Sequence, residues 1–259
     1  MKIVVLAKHV PDATADRRYQ DDLTSVRSGI EGRLSELDEY AIEAAVRITE
    51  AGGGEVIVVV MGPDQASEAV LRALQLGASA AVHVTDAALH GTDAAGTARV
   101  LAAAVRQQGD VDLVLTGMAS TDAGTGLVPA MVAAHLGLPH VGFVEELEVA
   151  DGSVAGARET ETTRERFAVS LPALLTVTDH INEPRYPSFK AIMAAKKKPV
   201  TTVGLADLGI APDTVGLAGA WTAVESVRRR PKRAGGEVVK DDGDGGTKLV
   251  DYLVRNRLI

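Results

Sequence analysis

The sequence EVIVVVMGPDQASEAVLRALQL, residues 55–76, holds a strand, a turn and a helix in that order. Its first part, 55–61, is an unbroken β-branched run with no polar alternation. Such a run buries both faces, as a parallel strand does between two layers of helices. Gly62 and Pro63 stop it, and over 64–76 the small and apolar Ala66, Ala69, Val70 and Ala73 fall on one helical face. The same grammar extends outward in both directions. Residues 2–7 (KIVVLA) read as a strand, and 36–50 as a helix with Leu37, Tyr40, Ala41, Ala44 and Ile48 on one side. Residues 80–84 read as a third strand, 92–107 as an alanine-rich helix, and 111–116 (VDLVLT) as a fourth strand ending at Gly117. Strands alternating with helices predict an α/β fold, a doubly wound and mostly parallel sheet with ligand at the carboxyl ends of its strands.

The second half changes character. Residues 141–150, 153–161, 163–169 and 173–178 read as shorter, partly alternating strands, and Asp151-Gly152 as a turn, which predicts a hairpin added to the main sheet. Past Pro199 the regularity fades. RRRPKR (228–233) and KDDGDGG (240–246) precede an amphipathic stretch, 247–259, whose Leu249, Leu253 and Leu258 need a surface to cover them. The expected organisation is an α/β domain over 1–199 and an extended C-terminal arm over 200–259.

Composition sets outer limits. A chain of 259 residues suffices for one large domain with an extension. A formal charge of −8 argues against nucleic acid as the main ligand, although local basic patches can steer an acidic partner. The absence of cysteine excludes disulfides, thiolate nucleophiles and cysteine-ligated metals. No apolar run reaches a membrane span and no signal-peptide pattern precedes the first strand, so the expected location is the cytoplasm. Aromatic residues are only 3% of the chain, so the core is expected to be aliphatic.

Few residues offer chemistry. Residues 117–129 (GMASTDAGTGLVP) leave a strand and enter a predicted helix, with Asp122, Gly124, Thr125 and Gly126 where backbone N–H groups can wrap phosphate oxygens. The loop lacks a Walker-type lysine and the dinucleotide glycine spacing, and a plain helix N-cap by Ser120, Thr121 or Asp122 stays open as the other reading. The six histidines (His9, His83, His90, His135, His140, His180) form no metal-ligand spacing, and no nucleophile, base and acid set emerges. Catalytic and metal residues are therefore expected to be absent, which suits binding or carrying better than bond-making.

Residues 180–199 (HINEPRYPSFKAIMAAKKKP) combine turn formers with an apolar helix and a basic end. Pro184 and Pro187 bias the residues before them to extended geometry and hold Tyr186, Ser188 and Phe189 outward. Ser188 is a candidate N-cap, and Phe189, Ile192 and Met193 follow at helical spacing before Lys196, Lys197 and Lys198. Spacing alone leaves two readings: apolar residues facing the core with lysines at a helix C-terminus, or a docking loop.

The chain resembles, nearly end to end, the small (β) subunit of electron-transfer flavoprotein in its actinobacterial forms. The resemblance is carried by Lys8-His9-Val10-Pro11-Asp12, Leu37-Asp38-Glu39-Tyr40-Ala41, Met61-Gly62-Pro63, Leu71-Arg72-Ala73-Leu74 with Gly77-Ala78, and Asp112-Leu113-Val114-Leu115 with Gly117. Most specific is Asn182-Glu183-Pro184-Arg185-Tyr186-Pro187, with Ile192-Met193 and Lys196-Lys197-Lys198. The resemblance implies a sheet of adenine-nucleotide-binding type and an electron carrier with no catalytic residues of its own. It also implies a heterodimer with an α subunit that holds most of the FAD, and a structural AMP in this chain. Carried over by position, the nucleotide site takes Leu6 and Ala7, then Ser35, Glu36, Leu37 and Asp38, then Met61. It continues through Gly117, Met118, Ser120, Asp122, Ala123, Gly124, Thr125, Gly126, Leu127 and Val128, with side chains from Asp122 and Thr125 and backbone amides from 123–128. Ser35-Glu36-Leu37 stands where many members have Asn-Pro-Phe, and Ala13 where an aromatic often nears the flavin.

The segment around 182–198 becomes, by the same resemblance, the loop that recognises acyl-CoA dehydrogenases or related flavoenzymes, from which electrons pass to a quinone-linked or other acceptor. Pro184, Tyr186, Phe189, Ile192, Met193, Lys196, Lys197 and Lys198 are its recognition residues. Three rivals differ in class: a bifurcating carrier with a second FAD in place of AMP, an ATP-binding enzyme or stress-type nucleotide sensor, and a nucleic-acid binder using the basic runs.

Overall fold

The computed structural model describes all residues of the chain except 28, 151, 232–234 and 237. It divides into two compact units, Met1–Glu225 and Ser226–Ile259.

The first unit is built on a seven-stranded, wholly parallel sheet. In chain order its strands are β1 (Lys2–Ala7), β4 (Glu55–Met61), β5 (Ala80–Val84), β6 (Leu113–Gly117), β7 (His140–Val144), β11 (Ala173–Val177) and β12 (Val200–Val203). They lie side by side in the order β12-β5-β4-β1-β6-β11-β7. The chain thus builds away from β1 on one side through β4 and β5, then returns to its other side with β6. That reversal opens a crevice beyond the carboxyl ends of β1 and β6, the place where such sheets bind ligands.

Both faces of the sheet are buried, which is why its strands read as continuous apolar runs. Ile3, Val5, Val56, Val58 and Val60 pack with Ala41, Ile42 and Ala45 of α1 (Glu36–Gly52) and Ala69, Ala73 and Leu74 of α2 (Ser67–Leu76). Val4, Leu6, Ile57, Val59 and Val114 face the other way, onto Ala98, Leu101 and Val105 of α3 (Ala94–Gln107) and Val132 and Ala133 of α4 (Val128–Leu136). At 17 residues α1 is the longest helix described, and its small residues Ala41, Ala44 and Ala45 let it lie close to the sheet. Burying one valine or leucine contributes about 1.5–3 kcal/mol, so these two layers dominate the stability of the fold.

The predicted hairpin forms, with a third strand beside it in a sheet of its own. A separate three-stranded antiparallel sheet holds β8 (Glu146–Ala150), β9 (Ser153–Glu159) and β10 (Arg164–Ser170) in the order β10-β9-β8. Residues 141–150 are two strands, divided at Glu145. The strand expected at 173–178, β11, lies between β6 and β7 in the main sheet, with all five of its residues buried. Of the predicted turn, Asp151 lies outside the described residues.

Past Pro199 the sheet continues where irregular chain was expected. β12 pairs in parallel with β5 as an edge strand, from Val200 beside Ala81 to Val203 beside Val84. Residues 200–225 therefore belong with the α/β body. A small ribbon of β2 (His9–Pro11) and β3 (Gly32–Leu34) spans the entry to α1.

Between β11 and β12 runs the segment 180–199, with α5 (Phe189–Ala195) at its centre. After α6 (Gly216–Gly219) the first unit ends. The second unit contains α7 (Gly245–Arg255), an amphipathic helix whose Leu249, Val250 and Val254 are exposed. Residues 232 and 233 of the basic run lie outside the described residues.

Candidate functional site

The residues singled out in sequence converge on the crevice. Leu6 and Ala7 end β1, Ser35 precedes α1, Met61 ends β4, and Gly117 ends β6. Asp38 stitches three of these elements together. Its Oδ2 accepts the backbone N–H of Lys8 at 2.8 Å, and its carboxylate also takes the N–H of Gly117. A side chain at residue 117 would sit 2.6 Å from Asp38 Oδ1 and 2.7 Å from the Leu37 carbonyl, so only glycine permits this approach. Burial raises the Asp38 pKa to about 7, against the pull of the Lys8 and Gly117 N–H groups.

Above Asp38 lies a charge cluster. Lys8 Nζ donates to Asp122 Oδ1 at 2.9 Å and reaches Ser120 Oγ at 3.4 Å. Arg27 Nη2 approaches the other carboxylate oxygen of Asp122 at 2.6 Å. Burial opposes ionisation of Asp122, but the Lys8 ammonium and the Arg27 guanidinium outweigh it and hold its pKa well below the carboxylate range. The Lys8 pKa is lowered by burial first and by Arg27 second, with Asp122 opposing. Two cations therefore share one fully ionised carboxylate, and Asp38 beneath them is only partly charged near pH 7. The crevice carries an excess of positive charge and favours an anion.

The loop around this cluster differs from the predicted cradle in part. The Ala123 N–H is taken by Asp122 Oδ1 at 2.7 Å and the Gly124 N–H by the Ser120 carbonyl at 2.9 Å, so neither is free to meet a ligand. Helix α4 begins only at Val128, with Leu127 in the cap position, so Ser120, Thr121 and Asp122 do not cap it. The N–H groups of Thr125, Gly126 and Leu127 find no acceptor among the described residues. These exposed donors, with Gly124 and Gly126 at positive φ, form a turn that opens outward just ahead of a helix N-terminus. The buried Ser35 Oγ also lacks a partner among the described residues. Orphaned donors and two cations fit a phosphate ester. Lys8 and Arg27 were not read as site residues: Lys8 stood only within the Lys8-His9-Val10-Pro11-Asp12 motif, and Arg27 lies in a polar stretch far from 117–128.

The segment 180–199 is held on α1 by polar contacts. Asn182 Nδ2 donates to the Tyr40 carbonyl at 3.0 Å, and Arg47 Nη2 to that of Glu183 at 3.0 Å. Arg185 forks onto Glu43 (2.7 Å) and Glu50 (2.6 Å), and these pairs, Glu50 foremost, raise its pKa. So anchored, the loop presents Tyr186 at 92% exposure and Phe189 at 79%, with Met193 half exposed on the next turn of α5 and Ile192 and Pro184 partly covered. Ser188 Oγ accepts the Ala191 N–H at 3.2 Å and caps the helix, as its position predicts. Lys196 and Lys197 are exposed. Lys198 is not part of that surface, because its Nζ caps the carboxyl end of α2 through the carbonyls of Leu74 (2.8 Å) and Ala78 (2.6 Å). Among the described residues no group of His, Asp and Glu is placed to hold a metal ion, and no helix is long and apolar enough to cross a membrane.

These features define a doubly wound α/β protein with an electropositive crevice at its switch point and an exposed aromatic loop on one flank. The electron transfer flavoprotein domain model matches residues 22–208. The β subunits of electron transfer flavoprotein from Mycobacterium tuberculosis and Mycobacterium leprae are each 42% identical over 99% of both chains. A subunit of the caffeyl-CoA reductase-Etf complex of Acetobacterium woodii, CarD, is 37% identical over 92% of each chain. The chain belongs to the electron transfer flavoprotein β-subunit family, whose members are electron carriers and not enzymes.

Proposed function

We propose that this chain is the β subunit of a heterodimeric electron carrier, that it holds a structural AMP in the crevice, and that segment 182–198 docks the redox partner. The observation that carries the nucleotide reading is the convergence of Lys8 and Arg27 on Asp122 beside three unpaired N–H groups. In this reading the phosphate lies toward the donors of 125–127 with Lys8 and Arg27 beside it, and Asp122 offsets part of their charge. The adenosine end takes Leu6, Ala7, Ser35, Glu36, Leu37, Asp38 and Met61. The FAD, held mainly by an α subunit, supplies the redox chemistry when bound. The β chain contributes shape, a buried counter-ion network and a docking surface.

Partner docking rests on Phe189 and Tyr186, exposed on a loop whose backbone is fixed by Arg185 and Asn182. A rigid apolar anchor with charged flanks suits a small, rapidly reversed interface. Acyl-CoA dehydrogenases of the cytoplasm, handing on electrons toward a quinone-linked acceptor, are the partners proposed. Co-expression with a cognate α chain tests the assignment. A yellow one-to-one complex supports it, and a β chain that never associates with a flavin-bearing subunit overturns it.

A further inference from the structure

Beside the docking loop lies a cleft of about 630 Å³, walled by β3, the first turns of α1 and α2, and residues 183–186. It is lined by five glutamates and three arginines, and the arginines are already satisfied. Arg72 forks onto Glu39 at 2.8 and 3.3 Å, Arg185 onto Glu43 and Glu50, and Arg33 pairs with Asp12. Glu31 and Glu183 have no ion pair among the described residues, and Glu36 reaches Arg33 only at 3.5 Å.

A second observation points into the same space. His9 is 94% buried by its 6% exposure, and its Nε2 has no hydrogen-bond partner among the described residues. That nitrogen lies against two residues of the cleft wall, 3.7 Å from Glu68 Oε2 and 2.6 Å from where a side chain on Gly32 would begin. Burial holds the imidazole's pKa below its ordinary value, so His9 leaves Glu68 uncompensated at neutral pH. Tyr40 and Tyr186 also line the cleft. Uncompensated carboxylates beside tyrosines suit an organic cation.

We propose that this cleft receives a guanidinium or ammonium side chain of the redox partner protein, which enters among Glu31, Glu68 and Glu183 while Phe189 makes the apolar contact alongside. The inference rests on the docking role of segment 182–198. Tyr186 belongs to both surfaces, so a partner that covers Phe189 reaches the cleft. It gives the partner's face a definite chemistry: an apolar pocket with a basic side chain on the cleft side and acidic groups toward Lys196 and Lys197.

The test uses the complete flavin-loaded heterodimer and an acyl-CoA dehydrogenase reduced by its own acyl-CoA, with flavin reduction followed by stopped flow. Glu31→Gln with Glu183→Gln should slow reduction about three- to tenfold at low salt, since each exposed pair is worth up to about 1 kcal/mol. The deficit should close by about 0.5 M salt, where such pairs are screened, and the two lysine replacements should slow it further. Unaltered or faster reduction by both glutamine and lysine variants overturns the inference. If Phe189→Ala is then still slow, the docking reading survives alone. If Phe189→Ala is also unaffected, or the wild type is not reduced, the docking reading falls and the cleft proposal with it.

Discussion

Replacing Asp122 by asparagine should move stability and nucleotide affinity in opposite directions. The carboxylate is nearly buried, with 6% side-chain exposure, and it contacts Lys8 Nζ at 2.9 Å and Arg27 Nη2 at 2.6 Å. Removing one partner of a fully buried pair costs about 3–5 kcal/mol. Here Lys8 and Arg27 keep 35% and 31% side-chain exposure, so water compensates part of the loss. A penalty of roughly 1–3 kcal/mol remains, equivalent to about 2–10 °C in Tm for a unit of this size. AMP should bind about tenfold more tightly, because two cations lose their internal counter-ion and a like charge leaves the phosphate's vicinity. Adenosine, with no phosphate, should bind as before. Calorimetric titration of nucleotide-freed heterodimer with AMP and adenosine, beside thermal melts, reads all three quantities. If the variant is unchanged in stability, or loses AMP affinity, Asp122 is not the counter-ion and the electrostatic account of the crevice is wrong.

Three further outcomes follow from individual contacts. Asp38 holds a proton up to about pH 7 in the fold but only to about 3.8 when unfolded. The folded state binds the extra proton between those values, so this group's stabilisation is present at low pH and is lost as pH rises toward 7. Depressed pKa values at His9 and His140, both set first by burial, act with the opposite sign at and below about pH 6.5. The wild type minus Asp38→Asn difference in Tm should therefore fall from pH 5 to about 7 and level off above it, and a flat difference would refute the assignment. Phe189→Ala should slow reduction by the partner dehydrogenase about ten- to a hundredfold, from the roughly 1.5–3 kcal/mol of a buried phenylalanine, with FAD and AMP content unchanged. Lys198→Ala should lower stability by about 1–2 kcal/mol through the lost cap on α2. It should leave the salt dependence of docking as in wild type, unlike changes at Lys196 or Lys197.

The parallel core was legible because a strand buried on both faces leaves a run of apolar residues, as in 2–7 and 55–61. The same signal is present in 173–177, where five buried residues stand in sequence, but it does not say that this strand lies between β6 and β7. Which strands pair across the sheet is a long-range property that local periodicity does not encode. β12 was invisible for a different reason: three of its four residues are exposed, and an edge strand with two threonines after a lysine run carries no apolar pattern. At the crevice, Asp122 and the glycines of 124 and 126 stood out by composition, but Lys8 and Arg27 reach them from loops about 114 and 95 residues earlier, a meeting only the fold creates. Lys198 shows the converse. Three adjacent lysines look alike in sequence, and only the structure separates the half-buried helix cap from the two solvated charges.

The most direct test of the account is to release and quantify the small molecules held by the purified heterodimer. The account predicts one AMP for each FAD, with the AMP lost selectively when Lys8 and Arg27 are both replaced by methionine. A complex with two FAD and no AMP, or with no adenine nucleotide beyond the single FAD, would contradict it.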